Sequence, residues 1–186
     1  MIEIKIIGRG GQGGKSAAAV LAHVALSTGK YVQSFPEYGA ERQGAPVYAY
    51  TRISDEPIRM HSGVENPNIV AVIDSTLLSL PVTEGMDENG ILIINTTHTL
   101  KEIRKHFPDY KGKVFTVDAT GISVKNFGKN IPNTPMLGAI NRAAGLFDQK
   151  LIEEEIIGKF GKKLSSDIIQ RNIESLKEAS ENLQND

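Results

Sequence analysis

The chain has 186 residues, 40% of them hydrophobic and 23% charged, and a formal net charge of −1, the balance of an ordinary soluble globular protein. That charge excludes a general electrostatic pull toward nucleic acid or membrane, and no apolar run approaches the roughly 20 residues that span a bilayer. Cysteine is absent, which excludes disulfides, thiolate metal sites and cysteine-ligated iron–sulfur clusters within this sequence. With no signal-peptide pattern, the expectation is one cytoplasmic domain over residues 1–186, with neither nucleic acid nor membrane as a partner.

The first element is an apolar-rich strand, Ile2 to Ile7, which runs into Gly8-Arg9-Gly10-Gly11-Gln12-Gly13-Gly14-Lys15-Ser16. A small-residue helix is expected from Ser16 to Ser27, stopped by Gly29-Lys30. Strand, glycine turn and helix together form a phosphate-binding unit. Glycine permits positive φ and close approach of the backbone to a ligand. The first N–H groups of the helix lack internal partners and point out of its positive end. Arg9 and Lys15 bring full charges beside the turn.

A second strand is expected at Lys30–Phe35, then a long glycine-punctuated loop through Glu41-Arg42, then a strand at Val47–Ile53. Ser54-Asp55-Glu56-Pro57 has turn composition, so Ile58-Arg59-Met60 is expected to return antiparallel to Val47–Ile53. Ile69–Ile73, Ile91–Asn95 and Val114–Val117 are apolar runs suited to strands buried on both faces. Asp74 is expected to cap the short Thr76–Leu80 segment, and Asp118-Ala119-Thr120 lies at a strand-to-helix junction, where ligands of open α/β sheets collect. A short helix is expected from Thr99 to Phe107. Thr134 is expected to cap a helix over Met136–Leu146, with Pro135 in its first turn. Amphipathic helices follow around Leu151–Phe160 and after Ser165 or Ser166. The fold class that results is a three-layer α/β/α sandwich of Rossmann-like type, with a mixed, mostly parallel sheet and one antiparallel hairpin.

The glycine turn admits three readings. Gly8-x-Gly10-x-x-Gly13 fits the dinucleotide fingerprint between strand and helix. The fingerprint also wants an acid about 20 residues on, at the end of the second strand, and Glu37 comes after Pro36, too late for a good match. A nucleoside-triphosphate P-loop would end in Gly14-Lys15-Ser16 but needs a glycine where Arg9 stands. The third reading is a tight turn with no ligand. No catalytic set assembles elsewhere. The histidines His23, His61, His98 and His106 lack metal-ligand spacing; His23 is expected to serve packing, and His98 is the best placed of them for a ligand. Glu41-Arg42 is either an exposed pair of little energetic worth or a functional clamp, since an arginine in a glycine-rich loop can hold a phosphate or carboxylate in bidentate fashion.

Three motifs in fixed order carry a resemblance. Gly8-Arg9-Gly10-Gly11-Gln12-Gly13, Phe35-Pro36-x-x-Gly39-x-Glu41-Arg42-x-Gly44-Ala45-Pro46-Val47 and Thr51-Arg52-Ile53-Ser54-Asp55-x-Pro57-Ile58-Arg59 resemble the gamma subunits of 2-oxoacid:ferredoxin oxidoreductases. The pyruvate enzymes (pyruvate synthase) are a nearer likeness than the 2-oxoglutarate enzymes. The likeness spans essentially the whole chain and is densest over residues 2–80; Gly14-Lys15-Ser16 looks less like the family's common form. It implies an enzyme subunit with no complete active site of its own. The complex would convert pyruvate, coenzyme A and oxidised ferredoxin into acetyl-CoA, CO2 and reduced ferredoxin. Alpha, beta and delta-type subunits would be its partners, holding thiamine diphosphate and the iron–sulfur clusters, with ferredoxin or flavodoxin as electron carrier. The resemblance further implies coenzyme A as the co-substrate near this chain, with Gly8, Arg9, Gly10, Gly11, Gln12, Gly13, Glu41 and Arg42 as its candidate contacts. Two alternatives stand beside it: a purely structural subunit of an enzyme for another 2-oxoacid, and a free-standing dinucleotide-binding protein.

Overall fold

The computed structural model describes residues 1–38, 45–161 and 164–185. The elements in order are β1 (Ile2–Arg9), α1 (Gly14–Ser27), β2 (Tyr31–Tyr38), β3 (Pro46–Ser54), β4 (Ile69–Val72), a 3-10 turn (Ser75–Ser79), β5 (Ile91–Asn95), α2 (Leu100–Arg104), β6 (Lys113–Val117), α3 (Ala119–Phe127), α4 (Asn133–Ala144), α5 (Gln149–Phe160), α6 (Ser166–Glu181) and β7 (Gln184–Asn185). The strands form one sheet in the order β2-β3-β1-β4-β5-β6-β7. β1, β4, β5 and β6 are a parallel block, with antiparallel β3 and β2 on one flank and β7 on the other. The expected α/β architecture with a mixed sheet is therefore present.

Alternation along the strands makes the layers. Ile4, Ile6, Ala71, Ile73, Ile93, Phe115 and Val117 turn to one face and meet α1 and the α3–α6 group. Ile7, Val70, Val72, Leu92, Ile94 and Val114 turn to the other and meet Leu77, Val82 and Ile103 of the 3-10 turn, the following loop and α2. A period of two sends neighbouring side chains to opposite faces, so strands covered on both faces read as continuous apolar runs.

The antiparallel flank differs from expectation. Ile58-Arg59-Met60 is not a strand. β3 pairs with β1 on one edge and β2 on the other, so it has no free edge for a returning segment. Instead, residues 58–63 cross over the sheet, where Met60 O accepts from Gln33 Nε2 at 2.9 Å and Gly63 O from Arg52 NH2 at 2.8 Å. Arg52 is almost wholly buried. Its Nε donates to Glu3 Oε1 at 2.7 Å, NH1 donates to Gln33 Oε1 at 3.2 Å, and its guanidinium carbon lies 5.5 Å from the Phe35 ring centroid.

Helix starts differ by small amounts. α1 begins at Gly14, two residues before the expected Ser16, because Gly13 takes the left-handed conformation at the N-cap. α4 begins at Asn133 behind Pro132 with no side-chain cap, and Thr134 instead donates its hydroxyl to Asn172 Oδ1 of α6 at 2.8 Å. His23 is exposed rather than packed, and its Nδ1 meets Glu155 Oε1 of α5 at 2.8 Å. Thr99 caps α2 with a reciprocal bond to Glu102, and Ser165 caps α6.

Candidate functional site

The parallel block sets the position of the site. From β1 the chain goes to one side of the sheet, and from β4 it goes to the other. The crevice between their carboxyl ends is the switch point where open α/β sheets take ligands. The glycine turn closes one side of this crevice.

Gly11 and Gly13 have φ of 88° and 82°, values that L side chains rarely adopt. A Cβ on Gly10 or Gly11 would meet no atom of the described residues within 4 Å, so none of these covers the outer side of the turn. Inward, a Cβ on Gly8 would stand 3.1 Å from Gln12 Oε1. α1 has no side-chain cap, and its first N–H groups, on Gly14, Lys15 and Ser16, are those a helix leaves without internal partners. Lys15 is exposed beside them.

Side chains from β1 and β4 hold the turn. Arg9 N–H donates to Gln12 Oε1 at 2.7 Å, and Gln12 N–H donates to Arg9 O at 3.2 Å. Gln12 Nε2 and Arg9 Nε both donate to Asp74 Oδ2, at 2.8 and 3.1 Å. The other carboxylate oxygen accepts from Thr76 N–H at 3.0 Å and Thr76 Oγ1 at 2.6 Å, and Arg9 NH2 donates to Thr76 Oγ1 at 2.8 Å. Burial pushes the Asp74 carboxyl up, but the bonds from Thr76 and Gln12 and the Arg9 charge outweigh it and hold it below the usual carboxylate range. Asp74 is thus the expected cap of the 3-10 turn, and it also reaches across to β1.

The crevice itself has a volume of about 260 Å³ and is lined by Gln12, Asp74, Asn95, Thr96, Thr97, His98, Asp118, Thr120 and Asn130. Asn95 ends β5 and stitches three elements: its Nδ2 donates to Ile73 O at 2.7 Å and to Thr120 Oγ1 at 2.8 Å, while its Oδ1 accepts from Thr120 N–H at 3.1 Å. Asp118 caps α3 through Gly121 N–H at 2.7 Å. Among the described residues no group of three or more His, Cys, Asp and Glu could hold a metal ion. A larger cavity of about 530 Å³ lies among α3, α5 and α6, lined by apolar Phe127, Ile131, Phe160 and Ile168 with Lys129 and Arg171. The smaller crevice is the better candidate, since polar groups from the ends of four adjacent parallel strands converge on it. Asn133 lines the larger cavity and packs on Gly13 of the glycine turn.

Of the residues singled out in the sequence, Gly8, Arg9, Gly10, Gly11, Gln12 and Gly13 come together at the switch point. Glu41 and Arg42 lie outside the described residues. Sequence reasoning missed Asn95 and Asn130, whereas the junction it marked at Asp118-Ala119-Thr120 does line the crevice through Asp118 and Thr120. A polar residue closing the apolar run Ile91–Ile94 is the signal that Asn95 offered.

The fold is an open α/β sheet with helices on both faces that differs from the dinucleotide-binding fold in one place. β3 is inserted between β1 and β2, so the strand end that would carry the ribose-binding acid lies two strand spacings, about 10 Å, from β1. Beside Arg9 stands Pro46 of the oppositely directed β3. The model of the pyruvate ferredoxin/flavodoxin oxidoreductase family matches residues 3–182, and the chain belongs to that family. It is 50% identical over 179 residues to pyruvate synthase subunit PorC of Thermotoga maritima, covering 96% of this chain and 93% of the relative. It is 45% identical over 168 residues to the common gamma subunit of the pyruvate/ketoisovalerate oxidoreductases of Thermococcus kodakarensis, covering 88% and 91%. The crystal structure of pyruvate oxidoreductase subunit PORC from Thermotoga maritima superposes with a TM-score of 0.89 at 44% identity, covering 99% of this chain and 97% of that one.

Proposed function

We propose that this chain, as the gamma subunit of a cytoplasmic pyruvate:ferredoxin oxidoreductase, receives the phosphate-bearing part of coenzyme A at the turn Gly8–Gly13. The observation that carries the reading is the turn itself: two glycines at positive φ, no described residue over Gly10 and Gly11, an uncapped helix N-terminus and exposed Lys15. Backbone N–H groups so placed satisfy an anion without a dedicated side chain. Arg9 adds positive charge beside the turn. Coenzyme A carries a pyrophosphate and a 3′-phosphate, so the lack of a ribose-binding acid beside β1 matters less for it than for a nicotinamide dinucleotide.

A crevice of about 260 Å³ is at the low end for a small-molecule site and holds only part of such a ligand. The remainder lies against the alpha, beta and delta-type subunits, with Glu41 and Arg42 of this chain facing them or the ligand. Those subunits carry thiamine diphosphate and the iron–sulfur clusters, and this chain has no cysteine with which to ligate a cluster. They perform the decarboxylation of pyruvate, the transfer of the acetyl group to coenzyme A and the release of electrons to ferredoxin or flavodoxin.

A second reading has its own observation. Arg9 and Gln12 are committed to Asp74, and Gly13 packs on Asn133, as in a turn built for packing and assembly only. A light-activated coenzyme A analogue added to the purified complex separates the two. Labelling within residues 8–16 supports ligand binding, and labelling confined to partner subunits supports the structural role. Arg42→Ala in the same complex is expected to raise the coenzyme A requirement of pyruvate-driven dye reduction by 10–100-fold if Arg42 contacts phosphate, from about 1.5–3 kcal/mol for a hydrogen bond to a charged group. Loosened assembly would assign it to the subunit interface instead.

A further inference from the structure

The crevice presents an apparent contradiction. A site read as taking phosphate holds a carboxylate, Asp74, on its wall. We infer that Asp74 is the positioning residue of the glycine turn: it fixes the turn in its ligand-ready shape from the neighbouring strand and does not itself touch the ligand. The inference rests on the coenzyme A reading and deepens it.

Glycine has the largest backbone freedom to lose on ordering, and Gly10, Gly11 and Gly13 have no side chains with which to hold themselves. The turn is held from outside. Gln12 clasps the Arg9 N–H with its carbonyl oxygen and uses its amide N–H to reach Asp74. Arg9 reaches the same carboxylate oxygen with Nε and the Thr76 hydroxyl with NH2. The second carboxylate oxygen is fixed by Thr76 N–H and Oγ1. The end of β1, the middle of the turn and the start of the 3-10 turn after β4 thus close on a single side chain. Both carboxylate oxygens are turned to donors of the protein, so the negative charge is met locally and an anion can lie nearby. The same bonds hold Arg9 beside the turn rather than against the ligand. A turn ordered before binding loses less freedom on binding, so losing Asp74 affects affinity for coenzyme A before it affects turnover.

The test uses the assembled complex with Asp74→Ala, Gln12→Ala and the double variant, read by pyruvate-driven dye reduction at varied coenzyme A. Each single variant is expected to raise KM for coenzyme A about tenfold while kcat at saturation stays within twofold. If the two residues act as one unit, the double variant is no worse than the worse single variant. KM values within twofold of wild type in intact complexes overturn the inference, as does simple additivity. If Asp74→Ala does not assemble, Asp74→Asn, which keeps the size of the side chain and removes its charge and one acceptor oxygen, takes its place in the same measurement. Labelling of the wild-type complex by the light-activated analogue separates this outcome from the parent reading. Label in residues 8–16 with unchanged KM sinks the role of Asp74 alone, and label confined to partner subunits sinks both.

Discussion

Gly13 and Asn133 are in close contact: a Cβ on Gly13 would stand 2.7 Å from the Cβ of Asn133, at the start of α4. The glycine is required twice, by this contact and by its φ of 82°. Gly13→Ala is expected to destabilise the chain by about 2–4 kcal/mol, combining the left-handed penalty with overpacking. Gly10→Ala, with no atom of the described residues within 4 Å of the new Cβ and no positive φ, is expected to change stability by less than about 1 kcal/mol. Chemical denaturation of the two variants checks the difference, and equal midpoints would refute the packing account.

Arg52 and Glu3 form an ion pair at 2.7 Å, with side chains 1% and 16% exposed. Removing one partner of a buried pair leaves the other uncompensated. Arg52→Ala is therefore expected to cost about 3 kcal/mol or more, and to lower the melting temperature by roughly 6–12 °C for a domain of this size. Glu3→Gln keeps an acceptor for Arg52 and should do less damage. A melting temperature for Arg52→Ala within about 2 °C of wild type, below the shift that 1 kcal/mol produces, would show that the pair is energetically idle.

Two tyrosines should resist ionisation. Burial, opposed by Arg104 and assisted by Asp87, pushes the Tyr110 phenol up to about 12. Burial and the 2.9 Å hydrogen bond to Glu37 Oε2 push Tyr50 higher still. A phenol whose folded value lies above its unfolded value stabilises the protein fully below about pH 10. The unfolded chain releases its proton first as pH rises, so this stability is lost progressively between about pH 10 and pH 12. Absorbance at 295 nm should show these two phenols ionising only well above pH 10. Tyr110→Phe, which also removes a buried hydroxyl that has no hydrogen-bond partner among the described residues, should flatten the alkaline fall in stability. A native titration in which all phenols ionise together near pH 10 would contradict this.

The acid limb follows from Asp74. Its carboxyl is held low in the folded state, so the stability it contributes is present above the unfolded value near pH 4 and disappears as pH falls through the folded one. Asp74→Asn should make unfolding less dependent on pH in that range. An unchanged acid profile would mean that the carboxylate is not preferentially ionised in the fold.

The glycine turn, the buried strands of the parallel block, the Asp74 cap of the 3-10 turn and a cap of the last helix at Ser165 or Ser166 were legible in the sequence because each has a local chemical signal. What escaped depends on residues far along the chain. Val47–Ile53 reads as a strand, but its two neighbours are chosen by the sheet, and the expected return through Ile58–Met60 failed for that reason. Arg52 reads as a surface charge until Glu3, Gln33 and Gly63 are brought to it. Asp74 reads as a local cap, and its bonds to Arg9 and Gln12 appear only once β4 lies beside β1. Thr134 has the composition of a cap, yet the helix starts one residue earlier and its hydroxyl is taken by Asn172.

The insertion of β3 beside β1 also dictates an order of events during synthesis. β1 is made before both of its partners, yet it lies inside the sheet, and neither neighbour is adjacent to it in the chain. Ile4 must wait for Thr51 on one edge and for Ile69 on the other. Until the chain has been made through Val72, the apolar strand Ile2–Ile7 stands with open edges, a state prone to pairing with other chains. Such distant pairing slows folding. The glycine turn, locked only when Asp74 arrives, is among the last features of the amino-terminal half to take shape.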